Sequence, residues 1–213
     1  MQTDDLIRSL AGGLTPVSRT AVERRIALGI LAGATVTMVA IALKLGVRPD
    51  LGAAMQGFPF WMKWIYTISL GAGAIAATLR LSRPDASRMS WLWLLSVPVF
   101  ILAALAVNEL ANTPHGSWPS LLEGRSASRC SLFVLFLSVP IYAGLVWAFR
   151  SLAPTSLRLA GAMAGLSSGA CAATLYGLHC PEASATFVLV WYTLGMVLAM
   201  IGGALVAPRL LRW

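Results

Sequence analysis

The chain has 213 residues, of which 58% are hydrophobic and 11% charged, with a mean hydropathy of +0.77 and a formal net charge of +8. Soluble domains carry about 25% charged and about 45–50% apolar residues, so this chain has too little charge to cover a water-facing surface. That argues against a soluble enzyme, a disordered tail and a nucleic-acid-binding domain, and three cysteines are too few for a secreted disulfide scaffold.

Residues 1–25 form an arm before the first apolar stretch. Thr3 is placed to cap a short helix, and Asp4 and Asp5 suit the positive end of its dipole. Leu6, Leu10 and Leu14, with Ile7 beside Leu10, make a narrow apolar stripe. Two acids against the single Arg8 disfavour an anionic lipid surface. The stripe therefore reads as a docking helix for a soluble partner, with Asp4, Asp5, Leu6, Ile7 and Leu10 as its contact residues. Gly12, Gly13 and Pro16 end the helix and leave a tether to Arg24 and Arg25.

A helix rising 1.5 Å per residue needs about 20 apolar residues to cross a hydrocarbon core about 30 Å thick. Six stretches qualify: 26–45, 61–79, 91–110, 130–149, 159–178 and 185–207. The predicted fold is an all-α membrane protein, a bundle of six transmembrane helices over residues 26–213. With the N-terminus inside, eleven of the 16 Lys and Arg residues fall on the cytoplasmic side and five on the outer side, while the 8 acidic residues divide evenly. This bias predicts both termini in the cytoplasm.

Small residues let membrane helices approach closely. Gly161, Gly165, Gly169, Ala173 and Gly177 recur every four residues in the fifth span, Gly29 and Gly33 mark the first, and Gly195, Ala199 and Gly203 the last. Packing within the bundle is their expected use, with a homodimer as the alternative. Pro98 and Pro140 are expected to kink the third and fourth spans.

Ionisable groups at membrane depth mark transport pathways, and the span interiors hold almost none. Lys63 and Glu109 lie near span ends, away from the midplane. What remains is a cluster at the outer face. Cys130 opens the fourth span, and His179, Cys180, Pro181 and Glu182 form the turn between the fifth and sixth, with Glu109 and His115 at the same level. Cys130 falls at a helix N-terminus, which favours the thiolate, and Pro181 is placed to begin the next helix. Three readings stand: a redox-sensing thiol pair, a static disulfide clamp, and a soft-metal site in which Cys130, Cys180 and His179 bind copper or zinc. Cys171, deeper in the fifth span, sits in apolar surroundings.

Several of these features resemble the negative regulator of sigma F family. They are the opening Thr3-Asp4-Asp5-Leu6-Ile7, Arg48-Pro49-Asp50-Leu51, Glu109, the His179-Cys180-Pro181-Glu182 turn and the closing residues 209–213. The family comprises six-span bacterial inner-membrane anti-sigma factors. The resemblance implies that the protein holds an extracytoplasmic-function sigma factor at the membrane. It also implies that the cysteines matching Cys130 and Cys180 are needed for release under oxidative or heavy-metal stress, and it gives Cys171 no role. A regulator and not an enzyme is expected. A quinone-linked thiol oxidoreductase would want a Cys-x-x-Cys pair and a second couple, and a small-solute transporter would want polar groups at the midplane. The sequence supplies neither.

Overall fold

The structure of the protein is a computed structural model, and it describes Asp5 and residues 20–81, 90–124, 126–150 and 156–211. Asp4, Leu6, Ile7 and Leu10 of the expected docking helix lie outside the described residues. Six helices are long and apolar enough to cross a membrane by length and composition. We number them α1 (Ala21–Ala40), α2 (Phe58–Leu81), α3 (Ser96–Ala111), α4 (Ala127–Phe149), α5 (Leu157–Tyr176) and α6 (Thr193–Leu210). A π-helical turn, Ile41–Leu45, extends α1, and a 3-10 stretch, Ser90–Leu95, leads into α3. A short helix, Ala185–Phe187, and a second π-helical turn, Val188–Tyr192, lead into α6.

The helix ends follow local chemistry. Ser156 caps α5 by accepting from the Leu159 N–H, and Ser184 caps the start of the sixth span by accepting from the Phe187 N–H. Gly46 closes the π-helical turn with φ +76°, a left-handed conformation that favours glycine. Pro98 is the third residue of α3, in its first turn, just after the 3-10 stretch that leads into the span. Pro140 does lie inside α4.

α5 is the central helix: 72% of its apolar stretch is buried, against 11% for the third span. It packs on α6, α2 and α4, while α1 packs on α4. The small residues decide these neighbours. A Cβ at Gly29 would run into the Gly144 carbonyl, and one at Gly33 into the backbone of Ile141 beside Pro140. Gly161 and Gly165 likewise face the backbones of Gly203 and Ala199. The ridges singled out in the sequence are thus spent on contacts within one chain. Hydroxyls tie the helices where glycine does not. Thr174 bonds Thr67 at 2.9 Å and Ser167 faces Thr78 at 3.2 Å across α2 and α5, and the Tyr142 hydroxyl donates to the Gly203 carbonyl at 2.9 Å.

Candidate functional site

The alternating helices bring one end of every span to the same end of the bundle, and the connection from α5 to the sixth span crosses the middle of it. Residues 180–184 of this connection are not helical, so its backbone groups are available to neighbours. Several neighbouring elements bond to it. His179 Nδ1–H donates to the Gly46 carbonyl after α1 at 2.9 Å, and the Arg48 N–H donates to the Leu178 carbonyl at 3.2 Å. Lys63 of α2 donates to the carbonyls of Cys180 at 3.1 Å and Glu182 at 2.6 Å. Glu109 of the third span accepts through one oxygen from the Ser184 hydroxyl at 2.8 Å, the Thr186 N–H at 2.9 Å and the Thr186 hydroxyl at 2.7 Å. From α4, Cys130 meets Cys180.

Cys130 and Cys180 are both free thiols with 0% exposure and belong to the same buried cluster. Cys130 is in the first turn of α4, behind Ser126, as its position in the sequence predicts. Pro181 does not begin a helix. Ser184, with an extended backbone, takes that role, and its hydroxyl also donates to the Glu109 carboxylate. Tyr176 and Tyr192 stack beside the pair with ring centroids 6.0 Å apart, and Phe133 covers Tyr176 at 5.8 Å. The Tyr192 side chain has 0% exposure, its hydroxyl lacks a partner at full hydrogen-bond geometry, and it interacts with the Cys180 sulfur. The hydrogen bond from Cys130 holds the Cys180 thiol below its ordinary value of 9.0, at about 6, and the positive charge of Lys63 works in the same direction against the cost of burial.

The expected supporting residues divide. Glu182 stays with the site: its carboxylate faces Gly124, where φ is +49° and a side chain would strike it, and it accepts from Ser126 at 3.5 Å. Glu109 serves the helix start instead of the thiols, an anion at the N-terminal end of a helix. His115 does not join them. It is exposed and its ring packs on Trp118 at 4.5 Å. His179 is turned toward Gly46 and Tyr176, so the trio of Cys130, Cys180 and His179 is not assembled. Among the described residues no group of three His, Cys, Asp or Glu side chains is arranged to hold a metal ion. Cys171 lines a separate apolar groove between α2 and α5, with Thr67, Gly71 and Thr174. Lys63, expected only as a residue near a span end, is buried against this turn, and Tyr176 and Tyr192 had been given no role. A lysine within an otherwise apolar helix was the available signal, since burying it demands a partner.

The family model of the negative regulator of sigma F matches residues 10–213. The chain belongs to this family. It is similar to the probable anti-sigma-F factor NrsF of Azospira oryzae, 41% identical over 217 residues, and to the anti-sigma-F factor NrsF of Caulobacter vibrioides, 40% identical over 215 residues. Both alignments cover 100% of this chain and 100% of the relative. No solved structure matches the chain. Of the expected docking residues only Leu10 falls within the part that the family model matches.

Proposed function

We propose that this family member is a membrane-embedded anti-sigma factor that holds an extracytoplasmic-function sigma factor on its cytoplasmic side. It releases that factor when Cys130 and Cys180 are modified by an oxidant or by a soft heavy-metal ion such as copper or zinc. The printed names of both relatives support the anti-sigma activity. The six apolar helices and the excess of basic residues on one side support an inner-membrane location with both termini in the cytoplasm. The thiol pair then faces the oxidising side.

One observation carries the sensing reading. Two free, fully buried thiols fifty positions apart in sequence lie together where α4 meets a turn that is also tied to α1, α2 and the third span. A covalent or metal bridge between Cys130 and Cys180 changes the geometry of that turn, and every tie leads to the end of another helix. The signal reaches the cytoplasm only if the two states differ in their affinity for the sigma factor. The arm over residues 1–25 and the inner connections at 80–90 and 150–158 are where that difference is expressed.

Co-purification from membranes tests this. The sigma factor is expected to travel with the resting full-length protein, to leave it after hydrogen peroxide or cadmium treatment, and to stay on the C130S/C180S double variant under the same treatment. Deleting residues 2–15 is expected to abolish capture. Absence of any sigma factor from resting membranes refutes the anti-sigma assignment, and release from the double variant refutes the sensor.

A further inference from the structure

Two open cavities share one side chain at the end of the bundle away from the thiol turn. The first, about 330 Å³, lies between the start of α1 and the end of α4 and is lined by Thr20, Ala21, Arg24, Arg25, Leu28 and Trp147. Ala21, Arg24, Arg25 and Leu28 follow one another at i, i+3, i+4 and i+7, which sets them on one helix face beside Trp147. Glu23, the acid of that turn, is not in the lining. The second cavity, about 520 Å³, is a groove between α4 and α6. It begins at Trp147 and Arg150 and runs past Tyr142 and Val139, with Gly202 and Val206 on the facing helix. Trp147 is 58% exposed, and Arg24, Arg25 and Arg150 are exposed as well.

The two cavities differ in character, and together they fit one kind of molecule. The hydroxyls that line the groove are spent: Ser138 donates to the Leu135 carbonyl, Tyr142 to that of Gly203 and Ser168 to that of Gly165. What the groove offers is apolar wall, open above Gly202, where a Cβ would meet nothing. On a surface that faces a bilayer, such a groove gains its missing contacts from a hydrocarbon chain. The three arginines, with no Asp or Glu among the described residues of either lining, select a negatively charged head. Trp147 stands between the charge and the hydrocarbon, the level that amphipathic rings take at a membrane interface. A second copy docked by twofold symmetry would bring the same arginines and no acid to meet them.

We propose that these cavities form one binding site for an anionic phospholipid, with its phosphate on Arg24, Arg25 and Arg150 and an acyl chain in the groove between α4 and α6. The proposal rests on the membrane-embedded reading above and needs neither the sigma factor nor the thiols. Arg24 and Arg25 join the arm over residues 1–25 to the bundle, so a bound lipid also ties the root of that arm to the end of α4.

The test is native mass spectrometry of the full-length protein released from nanodiscs of equal phosphatidylglycerol and phosphatidylcholine with matched chains, which reads the lipids that stay bound. Phosphatidylglycerol is expected to be retained over phosphatidylcholine by at least about fivefold, the effect of one arginine near a lipid surface. R24Q/R150Q is expected to lose most of this preference. R24K/R150K is expected to keep it, as is K44Q/R129Q, which removes the same charge at the other ends of the first span and α4. Gly202→Leu fills the groove with all three arginines in place and is expected to retain less lipid of either kind. Equal retention of the two lipids by the wild type, or a dimer that carries no lipid, overturns the proposal. An unchanged preference in R24Q/R150Q or unchanged retention in Gly202→Leu overturns it too. Carbonate washing of cell membranes separates the two readings. A chain that washes off sinks the membrane reading and the lipid site with it, whereas one that stays but shows no preference sinks the lipid site alone.

Discussion

Glu109 is the polar anchor of the least buried span, and its removal has a calculable cost. One carboxylate oxygen takes three hydrogen bonds from Ser184 and Thr186, all between 2.7 and 2.9 Å. Hydrogen bonds to a charged group contribute about 1.5–3 kcal/mol each and do not add when they share one atom. Glu109→Ala is therefore expected to cost about 3–5 kcal/mol, most of it from the buried Thr186 N–H and hydroxyl left without an acceptor. Glu109→Gln keeps an oxygen in place and loses only the charge, so it is expected to cost about 1–2 kcal/mol. Because the third span packs mainly on the short helix Ala185–Phe187, the loss should also free that span from the start of the sixth. Equilibrium unfolding of the reduced protein in mixed micelles, followed by tryptophan fluorescence, measures both variants. A loss below about 1 kcal/mol for Glu109→Ala, or an equal loss for both variants, would refute the capping role.

Two other outcomes follow from the packing and the thiol chemistry. Gly144→Ala places a methyl against the Gly29 backbone, which has no flexible atom to yield, and is expected to destabilise the fold by about 1–3 kcal/mol. Gly202→Ala, with open space around its Cβ, is expected to be neutral or to stabilise by up to about 1 kcal/mol; micelle unfolding of the pair that reverses this order would remove the close contact between α1 and α4. The pH dependence has a definite sign. Folding lowers the Cys180 value from 9.0 to about 6, so between those values the unfolded chain binds more protons. The reduced protein is expected to gain stability as pH rises through that window and to lose this contribution as pH falls through about 6, and Cys180→Ser should flatten the profile. A wild-type stability that stays level or declines from pH 6 to 9 would contradict a depressed thiol.

Six apolar stretches of about 20 residues are a local property of the chain, and a helix of that length satisfies its own backbone internally, so the number and order of the long helices were legible before any packing was known. The same order placed Cys130 and Cys180 at one end of the bundle, and the glycine repeats announced close helix contacts. Which side chains converge was not legible, because that depends on the rotation of each helix about its own axis. Gly29 against Gly144 and Gly161 against Gly203 set those rotations through tertiary contact. Lys63 looked like a residue at a span end and proved to be a buried donor to the Cys180 turn. His115 and His179 were both expected to support the site, yet one packs on Trp118 at the surface and the other is held by the Gly46 carbonyl. Composition and periodicity record how far a segment is buried along the bundle axis. The angular position that joins a lysine, two tyrosines and two thiols exists only after the helices have packed.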